Sequence, residues 1–251
     1  MNNLECLNCN EATERNFCSN CGQKTDTHRI TLKHFLFHDI LHGVWHMDKG
    51  ILFTLKQALF RPGKAALDYI DGKRIQYYNV FYLILLLTAL GIFIENIYAM
   101  AITNYVSYIE PTEPNATLDF LGKYVKFFLL LAIPAYAFNN FILFNRKKLL
   151  YSEHLIIFGM HFVGIIVITL LQNIIMFTEF VESLAFIADW SNVFIGLLIF
   201  TYLVNGFYGA FGKDYKLYSF SIRILIYIII CFLELSLLSL IITYYLKHYN
   251  H

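Results

Sequence analysis

Charge is scarce in this sequence. Only 15% of its 251 residues are Asp, Glu, Lys or Arg, against 58% hydrophobic and 18% aromatic residues, a balance well outside that of soluble domains. Net charge is nearly absent as well, at +1, and the basic residues lie beside apolar runs rather than on one concentrated surface, so nucleic acid is not an expected partner. Met1 to Asp26 has neither the apolar core nor the small-residue cleavage site of a secretory signal, and the amino terminus is expected to stay in the reducing compartment where it is made. No glycine-rich loop follows a strand, which argues against a nucleotide site. No nucleophile stands at a recognisable spacing from a base, which argues against an enzyme.

Cysteine is rare after position 21, where Cys231 alone remains and reads as a small buried residue. The other four cysteines are Cys6, Cys9, Cys18 and Cys21, two Cys-x-x-Cys pairs separated by eight residues. Each pair can fold so that two thiolates converge on one ion, and four thiolates close a tetrahedral shell. Zn2+ fits, because it takes sulfur ligands without redox change and a filled shell makes the site structural. Iron, a disulfide or free thiols are the alternatives. So short a segment has almost no core and is expected to be disordered without its metal.

From Thr31 to Asp48 the residues His34, His38, His42 and His46 recur every fourth position, and each step advances about 40° on a helix, drawing a slanted stripe. The segment reads as an amphipathic helix on the membrane surface or against the bundle. A solvated or headgroup-facing face is the leading reading of the stripe; a second metal site and a pH-sensing surface are the others. A second helical piece, Gly50 to Phe60, runs into Arg61-Pro62-Gly63, where Pro62 ends one helix and can open the next. Arg61, Lys64, Lys73 and Arg74 precede the first long apolar run and read as lipid-headgroup anchors.

FCSNCGQK, Asp48-Lys49-Gly50, Thr54-Leu55-Lys56, Arg61-Pro62-Gly63 and Tyr69-Ile70-x-Gly72-Lys73-Arg74 occur in that order. This set resembles the signature of an uncharacterised bacterial membrane-protein family known as domain of unknown function 3667. The resemblance covers roughly the first third of the chain. It implies a zinc ribbon joined to several spans in a bacterial inner membrane, and it implies no activity.

Five stretches reach the roughly 20 apolar residues needed to cross a bilayer: Val80 to Ala101, Tyr124 to Phe144, Leu155 to Phe177, Val193 to Phe211 and Ile222 to Leu246. Arg146, Lys147 and Lys148 flank one turn, and Lys213, Lys216 and Arg223 another, whereas Thr178 to Asn192 holds acids and no Lys or Arg. The positive-inside rule then places the amino terminus in the cytoplasm and the carboxyl terminus outside. Glu234, His161 and Asn205 are polar positions inside spans and form a possible intramembrane polar site; packing is the competing role.

The expected fold is all-α: a polytopic helical membrane bundle of about five spans with a short amino-terminal zinc ribbon and cytosolic amphipathic helices. Its expected divisions are a ribbon at 1–26, a juxtamembrane segment at 27–77 and the bundle at 78–251. The expected function is non-enzymatic, an interaction or regulatory module in the bilayer that presents the ribbon to a cytosolic protein. A transporter or channel-like carrier using polar residues in the bundle is the alternative.

Overall fold

The computed structural model describes residues 4–13, 16–25, 50–106, 130 and 132–249. The histidine stripe of His34, His38, His42 and His46 lies outside the described residues, as does most of the loop after the first span. Two short antiparallel strands, β1 (Leu4–Glu5) and β2 (Ala12–Thr13), open the chain, with Leu4 opposite Thr13. All other regular structure among the described residues is helical: α1 (Gly50–Phe60), α2 (Pro62–Ile70), α3 (Val80–Val106), α4 (132–143), α5 (Tyr151–Met176), α6 (Ala185–Phe211) and α7 (Leu217–Tyr249), with single turns of 3-10 helix between some of them.

Four of these, over Val80–Thr103, Tyr151–Phe180, Glu182–Asp214 and Leu217–Tyr244, are long and apolar enough to cross a membrane. The all-α membrane bundle expected from the sequence is therefore what the chain forms. The span expected over Tyr124 to Phe144 falls partly outside the described residues; α4 is its described part. Helices α5 and α6 begin earlier than their apolar runs, at Tyr151 and Ala185, because helix formation does not stop where hydropathy falls. At α5 the extra turn is held by Glu153, whose Oε2 accepts the Leu150 N–H at 2.7 Å, satisfying one of the donors a helix start leaves open.

Helix α5 is the centre. Every residue from Ser152 to Gly164 is buried, the pattern of a helix packed on all sides. Helix α3 runs parallel to it, with Val80 against Gly159 at one end and Asn173 Nδ2 donating to Glu95 Oε1 at 3.0 Å near the other. Helix α6 runs antiparallel, bringing Gly206 beside His161 and Asn192 beside Gln172. At the periphery, Phe232 and Leu240 of α7 are 67% and 68% exposed, which suits side chains facing hydrocarbon rather than water.

The juxtamembrane reading of residues 50–70 changes in one respect. Helices α1 and α2 form a hairpin packed into the bundle, with Thr54, Ala58, Ala65 and Ala66 fully buried against it. Small side chains permit this. A Cβ on Gly63 would lie 2.0 Å from the Gly206 carbonyl oxygen and 2.5 Å from the Ala210 nitrogen, so the two backbones touch. Across the bundle, Phe144 stacks on Phe211 and Phe207 at centroid distances of 4.7 and 5.7 Å, locking α4 to α6. Nearby, Arg146 and Arg223 cover the Tyr215 ring from 4.6 and 4.8 Å.

Gly63→Ala is expected to cost about 1–3 kcal/mol by overpacking, lowering the thermal midpoint of the detergent-solubilised protein. Gly196→Ala, which has no atom within 4 Å of the added Cβ, should leave the midpoint unchanged or slightly raised. Equal midpoints for the two variants would rule out the close approach as a source of stability.

Candidate metal centre

The two cysteine knuckles share one backbone design. In the first, Cys6 N–H donates to Glu11 O at 2.9 Å and Asn10 N–H to Cys6 O at 2.8 Å; in the second, Cys18 N–H donates to Gln23 O at 2.8 Å and Gly22 N–H to Cys18 O at 2.9 Å. Each loop turns through a left-handed residue directly after its second cysteine, Asn10 at φ 60° and Gly22 at φ 75°. Glycine adopts that conformation freely, and asparagine is among the few other residues that do. Gly22 announces the turn in the sequence; Asn10 is its equivalent, and only the backbone reveals it.

The loops bring Cys6 Sγ within 3.5 Å of Cys21 Sγ and Cys9 Sγ within 3.6 Å of Cys18 Sγ, and all four sulfurs lie within 4.8 Å of one another. A tetrahedral ion with sulfur bonds of about 2.3 Å needs edges of about 3.8 Å between its ligands. The four cysteines can hold a metal ion.

Electrostatics point the same way. Burial raises the Cys21 thiol, but hydrogen bonds from the Gln23 backbone, Cys6, Asn8 and Cys9 outweigh it and bring the thiol down to about 7. Cys9 moves oppositely. The Glu11 backbone lowers it, yet burial and its three thiol neighbours together push it up to about 11. Thiols in mutual contact share negative charge, so the first proton leaves readily and the last is held until a cation enters.

Both knuckles are bracketed to the turn between α2 and α3. Gln23, buried just after the second pair, donates through Nε2 to Gly72 O at 2.7 Å and accepts the Arg74 and Ile75 N–H groups at 3.1 and 3.3 Å. Asn8, inside the first pair, accepts from Gln76 Nε2 at 3.0 Å. The Leu7 side chain lies over Gly72, whose φ of 104° excludes most other residues. Beyond the turn, Tyr78 N–H donates to Thr54 Oγ1 at 2.7 Å, joining it to α1.

Residues 48–90 match the family model described as Protein of unknown function (DUF3667). The resemblance read from the sequence is thereby supported over these residues. The match covers α1, α2, the bracketed turn and the beginning of α3, and it stops short of the cysteines. The chain matches no curated protein and no solved structure.

The remaining positions take different partners. Lys73 pairs with Asp68 at 2.8 Å, whose hydrogen bond and charge raise the ammonium above its usual range. Arg74 lies 5.8 Å over the Tyr69 ring and donates to the Tyr69 carbonyl. Arg61 and Lys64 stand at the hairpin tip beside Asn205. His161 is fully buried, stacked 4.6 Å from Phe207, with Nδ1 on the Ile157 carbonyl at 2.6 Å. Glu234 accepts the Asn139 amide at 3.0 Å on both carboxylate oxygens.

Gln23→Ala should release the 72–76 turn, raising its amide hydrogen exchange by the equivalent of about 1–3 kcal/mol, with bound metal retained. Stripping the metal should free the same amides, because the knuckles have no other core. Exchange in the turn that ignores both changes would refute the bracket.

Proposed function

We propose that this protein is a non-enzymatic inner-membrane protein that presents a zinc ribbon to a cytosolic partner, with the bundle fixing where the ribbon stands. The carrying observation is the bracket of Asn8 and Gln23 on the turn leading into α3. It holds the ribbon at a fixed place on the bundle while Phe17 stays 60% exposed. An exposed aromatic on a rigid mount suits contact with another protein.

Zinc is the ion this donor set favours. Four sulfurs with room for a tetrahedron fill its shell and leave no site for water or substrate, which supports a structural role. The cytosolic side is supported by the basic residues at the ribbon's end of the bundle, Arg146, Lys147, Lys213 and Lys216, set against Glu179, Glu182 and Asp189 at the other. The carrier reading calls on Glu234, His161 and Asn205; for Glu234, the Asn139 amide that occupies both of its oxygens favours an interhelical tie.

Purified protein should carry about one zinc per chain, lost in Cys6→Ser/Cys21→Ser. Crosslinking in native membranes should recover a cytosolic protein with the wild type and lose it with Phe17→Ala, at unchanged zinc content. An identical crosslinked set from both would overturn the ribbon as the contact surface.

A further inference from the structure

Where α1 turns back into α2, a cavity of about 420 Å³ opens between the hairpin tip and the outward face of α6. Arg61, Lys64 and Asn205 supply its polar wall, and Phe60, Leu198 and Tyr208 its apolar one. Both cations are exposed, and no carboxylate among the described residues pairs with either. Arg61 donates through Nε to Gln57 of its own turn, which leaves the terminal guanidinium nitrogens for something else. Lys73 differs, because Asp68 neutralises it.

The level of the cavity matters. Val80, where the first span begins, packs against Gly159, and His161, about half a turn further along α5, sits beside Gly206 in the cavity wall. Measured from the start of the first span, the two charges stand at the ribbon's end of the apolar bundle, where their long side chains can reach lipid phosphates. Phe60 and Tyr208 are 75% and 51% exposed at the rim, and Phe194 and Leu197 continue the apolar face of α6 deeper, at 65% and 59%. A free anion would leave that face uncovered, whereas a lipid covers both surfaces at once.

We infer that this cavity binds one anionic phospholipid, with its phosphodiester between Arg61 and Lys64 and an acyl chain along the outward face of α6. The guanidinium offers a planar pair of donors to two phosphate oxygens, and the ammonium adds a mobile point charge. Asn205 offers an amide to the headgroup or glycerol ester. This site rests on the chain being a membrane protein and is independent of what the ribbon contacts.

The test is a lipid titration of the full-length detergent-solubilised protein by native mass spectrometry, with phosphatidylglycerol, phosphatidylcholine and inorganic phosphate as probes. Phosphatidylglycerol should bind about tenfold or more tighter than phosphatidylcholine, a preference lost in Arg61→Gln/Lys64→Gln and kept in Lys73→Gln/Arg74→Gln. If the first double variant fails to fold, Lys64→Glu, a reversal at an exposed position, must still weaken phosphatidylglycerol. Equal binding of the two lipids, equal loss from both double variants, or displacement of lipid by millimolar phosphate would each overturn the assignment. Bound metal measured in the same samples separates this failure from one at the ribbon.

Discussion

Backbone-to-backbone approach at Gly63 and Gly206 is the constraint on which the arrangement depends. Lipid is as apolar as the helices it surrounds, so hydrophobicity alone gives helices in a bilayer little reason to associate, and close packing must supply the attraction. Gly63 against Gly206 and Ala210, Ala58 beside Gly164 and Tyr202, and the buried Ala65 and Ala66 seat the hairpin against α5 and α6. Tyr202 completes the contact through a hydrogen bond from its hydroxyl to the Ala58 carbonyl at 2.7 Å.

The hairpin is also where the two halves of the molecule meet. Its tip rests on α6, its base is tied through Thr54 and Tyr78 to the residues leading into α3, and the 72–76 turn carries the ribbon through Gln23 and Asn8. A metal ion that orders the knuckles therefore also fixes the two amides that grip this turn. The family match falls on the hairpin and the turn, the part that touches both the ribbon and the bundle.

The features legible in the sequence are those set by local chemistry. Cys-x-x-Cys spacing foretold the convergence of Cys6, Cys9, Cys18 and Cys21, because a knuckle is made within a few residues. Long apolar runs foretold the helices, because a bilayer demands them. What stayed hidden was everything that depends on register between distant segments. Gly63 reads as a turn residue after proline, and nothing nearby tells that its partner is Gly206. Of the glycines in α6 and just after it, Gly206 makes the close approach, Gly196 faces open space and Gly212 lies nearest to Tyr208 of the preceding turn. The left-handed Asn10 was equally silent, since asparagine occupies many conformations.

Polar residues inside the spans were easy to notice and hard to interpret, because a costly group must find a partner and the sequence does not say which. The structure gives them different partners in different places. Asn173 meets Glu95 between α5 and α3, Gln172 meets Asn192 between α5 and α6, and Asn139 meets Glu234 between α4 and α7. Each pair bridges its own two helices, and none shares a side chain with the next. Groups that relay an ion or a substrate need neighbours in sequence along a path, whereas groups that hold helices together need one partner each. The arrangement among the described residues includes three ties of the second kind. It distributes interhelical hydrogen bonds across the bundle where apolar packing supplies no direction.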